Sequence, residues 1–153
     1  MKNLFLKSMA LLFGIVVIAS CSKKESTDPP KEPDFPQLIG TWQGTTWQQY
    51  PIEISVINVE GVLYLSSYSF AVTRQEGGSF DSANYQMSIS TGIVPVLNKQ
   101  FSLQLLSMAS SYTNDSLTGT FDTGEMILTG SIKAEFQSGI VEGNYSAIKK
   151  PAN

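Results

Sequence analysis

The sequence predicts an all-β fold, an eight-stranded antiparallel up-and-down meander closed into a barrel, with a β-sandwich as the alternative. From Leu38 onward, apolar residues alternate with serine and threonine, and no segment of useful length has helical periodicity. Short turns that contain glycine separate the alternating segments, as in a series of hairpins. A meander with one apolar face removes its exposed edges by closing, which favours the barrel over the sandwich.

Eight strands are predicted in a single domain that spans 38–150. Their ranges are about 39–46, 51–59, 62–74, 80–91, 100–107, 116–122, 125–136 and 140–149. Because the strands run up and down, alternate loops lie at opposite ends of the barrel. The loops at 60–61, 92–99 and 123–124 share the end that holds Trp42. The opposite end, which we call the mouth, receives the loops at 47–51, 76–78, 108–115 and 138–139.

The turns also predict which side chains face each other, because a two-residue turn fixes the register of its hairpin. Turns at 77–78, 123–124 and 138–139 predict three facing pairs: Phe70 with Tyr85, Phe121 with Met126, and Phe136 with Val141. In the second strand the apolar residues switch from even to odd positions near Val56-Ile57, which predicts a β-bulge there. Three glycines recur on the apolar face of the later strands, Gly119, Gly130 and Gly143. They indicate strong coiling of the sheet or the close approach of a bulky neighbour.

The N-terminal segment 1–20 has the layout of a signal peptide. Two lysines form a positive head, and the apolar run that ends at Ala19 is too short to span a bilayer, which takes roughly 20 residues. The small pair Ala19-Ser20 before Cys21 resembles the lipobox of bacterial lipoproteins. That resemblance implies a diacylglyceryl group on the Cys21 thiol, cleavage before Cys21, and acylation of the new amine. Incorporation of labelled palmitate is the expected sign of this lipidation.

Segment 21–37, from the lipidated cysteine onward, is predicted to be a linker. It is rich in proline and in charged residues, a composition that cannot bury enough apolar surface to fold. In extended form it could hold the domain roughly 45 Å from the membrane, at about 3.1 Å per residue. Lys23 and Lys24 are read as part of this solvated linker, the alternative being contact with lipid headgroups.

The composition excludes several classes of function. The chain has no histidine and a single cysteine, so His-based triads, disulfides and zinc sites built on Cys or His are not available. We therefore predict no metal, no cofactor and no enzyme activity, with carboxylate or Ser/Lys chemistry as the remaining catalytic route. Charged residues make up 15% of the chain and the formal net charge is −3, which argues against a nucleic-acid partner.

The start and the end of the barrel domain carry a family resemblance. Gly40-Thr41-Trp42 resembles the Gly-x-Trp signature of lipocalin-like barrels, in which the tryptophan packs across the closed end. The ending at 142–150 is similar to the last strand of small lipocalin-like lipoproteins of Bacteroidota. The chain departs from true lipocalins because it has no room for their helix after the barrel. It also lacks an arginine near its end, since its sole arginine is Arg74.

Four side chains at the mouth are candidate ligand-binding residues: Trp47, Tyr50, Met108 and Tyr112. They are amphipathic or adaptable groups of the type that lines ligand entrances, and the alternative is that they cap the core. At the other end, the apolar loop 93–97 is either a partner-binding patch or a plug for the barrel. Its position beside Trp42 favours the plug.

The favoured function is that of a membrane-anchored lipoprotein whose lipocalin-like barrel binds a small apolar ligand. The alternative is a domain with a solid core that contacts an envelope protein or a glycan through its Ser/Thr-rich outer face. In that case the inward aromatic side chains fill the interior, namely Phe70, Tyr85, Phe136 and Tyr145. The expected location is the bacterial cell envelope, on the outer membrane. The carboxylates, Asp115 among them, are expected in turns or on polar faces.

Overall fold

The structure, a computed structural model, describes residues 35–105, 114–124 and 126–151. The predicted signal peptide 1–20 and the predicted lipidation site Cys21 lie outside the described residues, as does the linker up to residue 34. Two of the four candidate mouth residues, Met108 and Tyr112, also lie outside them. The barrel domain is therefore described except at 106–113 and 125.

The described residues form one short 3₁₀ helix and nine β-strands. The helix is Pro36–Leu38, and the strands are β1 Gly40–Thr46, β2 Pro51–Val59, β3 Val62–Glu76, β4 Ser79–Ser88, β5 Val94–Pro95, β6 Gln100–Gln104, β7 Ser116–Asp122, β8 Ile127–Phe136 and β9 Gly139–Lys149. The prediction of an all-β antiparallel fold is confirmed. Each of the eight predicted strands has a counterpart, and the two-residue β5 is an addition.

The strands form one curled sheet in the order β4-β3-β2-β1-β9-β8-β7-β6, and β5 pairs with β3. Because the first strand pairs with the last, β1 with β9, the sheet bends round on itself and encloses its apolar face. β4 and β6 lie at the two ends of this order, and no ladder joins them in the part of the chain that the structure describes. We call the gap between β4 and β6 the seam.

The short strand β5 narrows the seam at the Trp42 end. After β4 the chain bends away from β3 and returns at Val94, which pairs with Leu65. Asn98-Lys99 has φ values of 50° and 64°, the left-handed conformation of a two-residue hairpin turn. Leu97 then bridges to Gln100 at the start of β6. The apolar loop 93–97 is thus built into the barrel wall.

One bulge lies in β3 and not in β2, so the predicted location was wrong. Ser55 pairs with Ser67 whereas Val56 pairs with Leu65, which leaves Ser66 as the extra residue. The Ser66 hydroxyl donates to the Ser55 carbonyl oxygen at 3.2 Å, so this buried side chain is satisfied locally. β2 keeps a single alternation, so Val56 is buried and Ile57 faces outward, and it is β3 whose alternation changes at the extra residue.

The register of the hairpins was predicted correctly in one case and missed by two residues in two others. Phe70 pairs with Tyr85 as expected. Phe121 pairs with Leu128 instead of Met126, because Met126 takes a left-handed φ of 56° and lengthens the loop. Phe136 pairs with Gly139. A slip of two residues keeps every side chain on its predicted face, since the strand repeat is two.

Trp42 lies at the centre of the closed end of the barrel. Its side chain is fully buried, its Nε1–H donates to the Leu38 carbonyl at 3.1 Å, and its ring meets Phe121 edge to face with centroids 4.9 Å apart. Leu38, in the 3₁₀ helix, is itself fully buried and seals this end. The expectation that Trp42 packs across the closed end is therefore confirmed.

Two of the inner glycines make room for Tyr145. A Cβ at Gly119 would overlap the Phe101 ring and the Tyr145 hydroxyl, and one at Gly130 would overlap the Thr118 carbonyl and the Tyr145 ring. The Tyr145 hydroxyl crosses above Gly130 and donates to the Thr118 carbonyl oxygen at 2.8 Å. This contact opens the β7–β8 ladder at one point. The predicted approach of a bulky neighbour to the glycines is confirmed.

Candidate functional site

An aromatic cluster fills the interior beside the seam. Phe70 stacks on Tyr85 with ring centroids 5.0 Å apart, and Tyr68 lies 6.0 Å from Phe70. These side chains come from β3 and β4 and are at most 4% exposed. Tyr145 is buried to a similar degree, whereas Phe136 is half-buried at the mouth. Tyr68, Phe70 and Tyr85 are thus packed against one another inside the sheet.

Asp115 is a fully buried carboxylate within this interior, so the expectation that it lies in a solvated turn was wrong. Its Oδ2 accepts a hydrogen bond from the Tyr85 hydroxyl at 2.7 Å, and its Oδ1 accepts one from the Glu135 backbone N–H, also at 2.7 Å. The carboxylate therefore ties β4 to β8 across the seam. Burial raises the pKa of Tyr85, and the hydrogen bond and charge of Asp115 raise it further.

Stability should fall steeply above pH 10 because of buried tyrosines. Burial raises the pKa values of Tyr68, Tyr85 and Tyr145 above the ordinary value of 10.0. Above pH 10 the unfolded chain releases phenolic protons that the folded chain retains. Each such tyrosine then lowers the free energy of unfolding by about 1.4 kcal/mol per pH unit, until the folded pKa is passed. Urea unfolding between pH 9 and 11 measures the slope of the unfolding free energy against pH. Tyr145→Phe should reduce this slope by the contribution of one tyrosine. An unchanged slope in that variant would contradict the assignment.

At the mouth, Trp47 lies over the interior as a cap. Its ring covers Gly143, where a Cβ would overlap it, and the Trp47 backbone N–H donates to the Asn144 carbonyl oxygen at 2.9 Å. Trp47 and Tyr50 are both half-buried and belong to the same β1–β2 loop. Trp47 packs against the core, whereas no contact with the core is shown for Tyr50.

The long β3–β4 hairpin reaches over the mouth to the β8–β9 turn. The guanidinium of Arg74 lies against Gly139 and pairs with Glu76, and the Ser138 hydroxyl donates to Asp81. Two buried polar side-chain atoms of the described residues have no hydrogen-bond partner, Thr46 Oγ1 and Arg74 Nη1. Thr46 is the last residue of β1, and Arg74 lies near the end of β3. Both atoms therefore belong to this end of the barrel.

We expect Gly143→Ala to cost about 1–3 kcal/mol of stability, because the added methyl group must displace the Trp47 ring. In a Trp47→Ala background the same substitution should cost much less, since the obstructing ring is gone. Denaturant midpoints of the four chains measure the difference. Gly124→Ala is the matched control, because a Cβ there meets only an Asp122 oxygen at 3.4 Å. Equal costs of Gly143→Ala in both backgrounds would show that Trp47 does not cap the barrel.

A row of polar side chains crosses the outer face of four adjacent strands. Gln43 of β1 pairs with Glu53 of β2, Glu53 pairs with Ser69 of β3, and Ser69 pairs with Gln86 of β4. All four side chains are exposed, and the Gln43 amide donates to the Glu53 carboxylate. Together with Pro51 they line a groove of about 540 Å³, which we call the outer groove. None of these four residues was predicted to form a site, although the alternation of each strand places its side chain on the outer face.

A second groove of about 500 Å³ crosses the outer face of β7, β8 and β9. Its lining is mainly hydroxyl and amide groups: Thr118, Thr120, Thr129, Ser131 and Asn144. The Thr118 and Ser131 hydroxyls bond to each other at 2.8 Å, so part of this hydrogen-bonding capacity is already used. The outer groove has the more varied polar set, because it also offers a carboxylate.

The apolar loop 93–97 combines the two roles between which the sequence left a choice. Val96 is 8% exposed and packs into the closed end, as a plug would. Leu97 is 62% exposed and points outward. Because side chains alternate along an extended segment, neighbouring residues of this loop serve opposite faces.

Among the described residues, no group of three or more His, Cys, Asp or Glu side chains is arranged to hold a metal ion. The described part of the chain also contains no helix with the length and hydrophobicity needed to span a bilayer. The grooves on the outer face can donate and accept hydrogen bonds, which suits recognition of a polar partner.

Comparisons with known proteins found no matching family model, no similar curated protein and no similar solved structure.

Proposed function

We propose that this chain is a lipoprotein of the bacterial cell envelope, anchored through lipid on Cys21, whose barrel-like domain binds a glycan on its outer face. The outer groove is the observation that carries the proposal. Sugars present several hydroxyl groups at short spacing, and the groove aligns two amides, a carboxylate and a hydroxyl, from Gln43, Gln86, Glu53 and Ser69. The packed aromatic interior is consistent with recognition on the outside.

The glycan-binding proposal is tested by affinity electrophoresis of the Cys21→Ser chain that lacks residues 1–20. Gels that contain dextran, xylan or mucin glycans should retard the protein in at least one case. Glu53→Ala and Gln86→Ala should remove the retardation while leaving stability nearly unchanged, because both side chains are exposed. Thr129→Ala in the second groove is the matched control. Equal migration in all gels, or retardation that survives Glu53→Ala, would refute the proposed site.

The anchor is tested separately in the producing cell. Replacing Cys21 with serine should leave the precursor uncleaved by the lipoprotein pathway and unlabelled by radioactive palmitate. The three acyl chains that the lipobox resemblance implies would hold firmly, whereas a single chain gives only marginal membrane residence. Continued palmitate labelling of the serine variant would refute the assignment of Cys21.

A small apolar ligand with an acidic group is a second candidate, and the mouth provides the observation in its favour. Thr46 Oγ1 and Arg74 Nη1 are buried at this end without hydrogen-bond partners, so a bound carboxylate would satisfy whichever of these donors it contacted.

A thermal-shift screen against fatty acids, sterols, haem and aromatic metabolites tests this candidate. A ligand at a hundredfold excess over its Kd should stabilise the fold by about 2.7 kcal/mol. The Arg74→Ala variant should lose the response to fatty acids. The absence of a shift with every compound would eliminate the candidate.

A further inference from the structure

We infer that the Trp42 end of the domain rests on the lipid bilayer and inserts the exposed apolar side chains beside β5 into it. The inference rests on the proposed anchor at Cys21 but not on glycan binding. It concerns the outer surface of β2, β3 and the β5–β6 hairpin, which includes the loop 93–97 that was predicted to be a plug.

The apolar surface follows from the strand register below the Ser66 bulge. Ile57 pairs with Tyr64 and Tyr64 pairs with Pro95, so these three side chains form one outward row. In the next row Val59 pairs with Val62, and Leu97, two residues after Pro95, points to the same side. We call this surface the apolar patch: Ile57, Val59, Val62, Tyr64, Pro95 and Leu97. Buried Leu63 and Val96 lie on the opposite, inner face.

Two of the six patch residues are exposed and the other four are half-buried, where a water-facing sheet would be polar. Leu97 is 62% exposed and Val62 is 41% exposed, whereas the outer face further along the same strands carries Glu53, Ser55 and Ser69. A concentration of apolar side chains on an otherwise polar outer face is characteristic of a contact surface. The positive φ values at Asn98-Lys99 place Leu97 at the base of a tight turn.

The position of the patch relative to the chain's entry identifies the bilayer as its occupant. Phe35 packs against the core at this end, and Lys99 of the hairpin lies over its ring with Nζ 5.3 Å from the centroid. The described chain thus enters the domain beside the hairpin, only 14 residues after Cys21. A tether of this length keeps the patch at high effective concentration near the membrane, so a weak intrinsic affinity is sufficient.

The patch itself contains no charged side chain, and the charged groups at this end lie beside it. Lys99 is engaged by the Thr123 hydroxyl as well as by Phe35, and Lys149 donates to the Gln37 carbonyl. Glu60, in the turn between β2 and β3, places a negative charge next to the patch. We therefore expect contact with neutral bilayers and little dependence on salt, since screening acts on charges and not on apolar burial.

The test places a fluorophore on the lipidated full-length protein in phosphatidylcholine vesicles. Lipid occupies the Cys21 thiol, so a cysteine introduced by Leu97→Cys is the free thiol that accepts an environment-sensitive dye. Ile140→Cys is the matched control, because Ile140 is also an exposed aliphatic residue, at 54%, but lies beside the mouth. We expect a blue shift and strong quenching by nitroxide-labelled lipid at position 97 and neither effect at position 140, unchanged by added salt.

The other outcomes overturn the inference in distinguishable ways. If the protein stays with the vesicles but the dye at position 97 is not quenched, the inference fails and the anchor stands. A blue shift that grows with protein density and without lipid quenching would assign the patch to a second copy of the chain. Protein that does not remain with the vesicles would remove the anchor and the inference together. Val62→Cys provides a second position in the patch, with the same expected result.

Discussion

Trp42→Ala is expected to lower the free energy of unfolding by about 3–5 kcal/mol, a large fraction of the stability of a small domain. The substitution removes a fully buried indole from the closed end of the barrel and leaves a cavity between Phe121 and the 3₁₀ helix. It also leaves the Leu38 carbonyl without the hydrogen bond from Nε1. The protein used carries Cys21→Ser and lacks residues 1–20. The shift in its denaturant midpoint measures the loss of stability.

The second tryptophan provides an internal control for this experiment. Trp47 is only half-buried, and it caps the mouth instead of filling the core, so Trp47→Ala should cost clearly less than Trp42→Ala. Trp42→Phe should recover part of the loss, because it restores the ring contact with Phe121 but not the hydrogen bond. A shift of less than about 1 kcal/mol for Trp42→Ala would contradict the burial on which the closed end depends.

The faces of the strands were predictable because side-chain alternation depends only on the local chain. Leu117, Phe121 and Ile132 are buried as expected, even though the β7–β8 register is shifted by two residues. The register itself depended on Met126, which adopts a left-handed conformation that its residue type does not favour. The position of the bulge was equally hidden, because either strand of a pair can carry the extra residue.

The candidate sites were less predictable than the strands. Trp47 could be assigned to the mouth because the hairpin order fixes which end each loop reaches. The outer groove required three correct registers at once, since Gln43, Glu53, Ser69 and Gln86 meet only when their strands are aligned. The sequence indicated only that the alternation of each strand places these four side chains on the outer face.

Asp115 was missed for a different reason. Its position in the sequence, after a loop and before a strand, gives no sign that the chain folds it inward across the seam. A single carboxylate between Asn114 and Ser116 reads as a turn residue, because most carboxylates are exposed. Only the three-dimensional approach of Tyr85 and Glu135 identifies its role.

Asp115→Ala is expected to cost about 2–6 kcal/mol, the other large effect in this protein. Truncation leaves two buried donors without an acceptor, the Tyr85 hydroxyl and the Glu135 N–H, and each unsatisfied group costs about 1–3 kcal/mol. Because these donors belong to β4 and β8, the loss should also loosen the seam. Hydrogen exchange of the β4 amides should therefore accelerate more than that of the β1 and β9 amides.

The matched substitutions separate the hydrogen bonds from simple burial. Asp115→Asn keeps an acceptor for the Glu135 N–H and a polar partner for Tyr85, so its cost should be near 1 kcal/mol. In a double-mutant cycle, Tyr85→Phe combined with Asp115→Ala should reveal a coupling of about 1.5–3 kcal/mol, the range for hydrogen bonds to charged groups. The hydroxyl and carboxylate are 2.7 Å apart and buried, which makes them directly dependent on each other. Additive effects would mean that Tyr85 and Asp115 stabilise the two sides of the seam independently, and that their hydrogen bond does not join them.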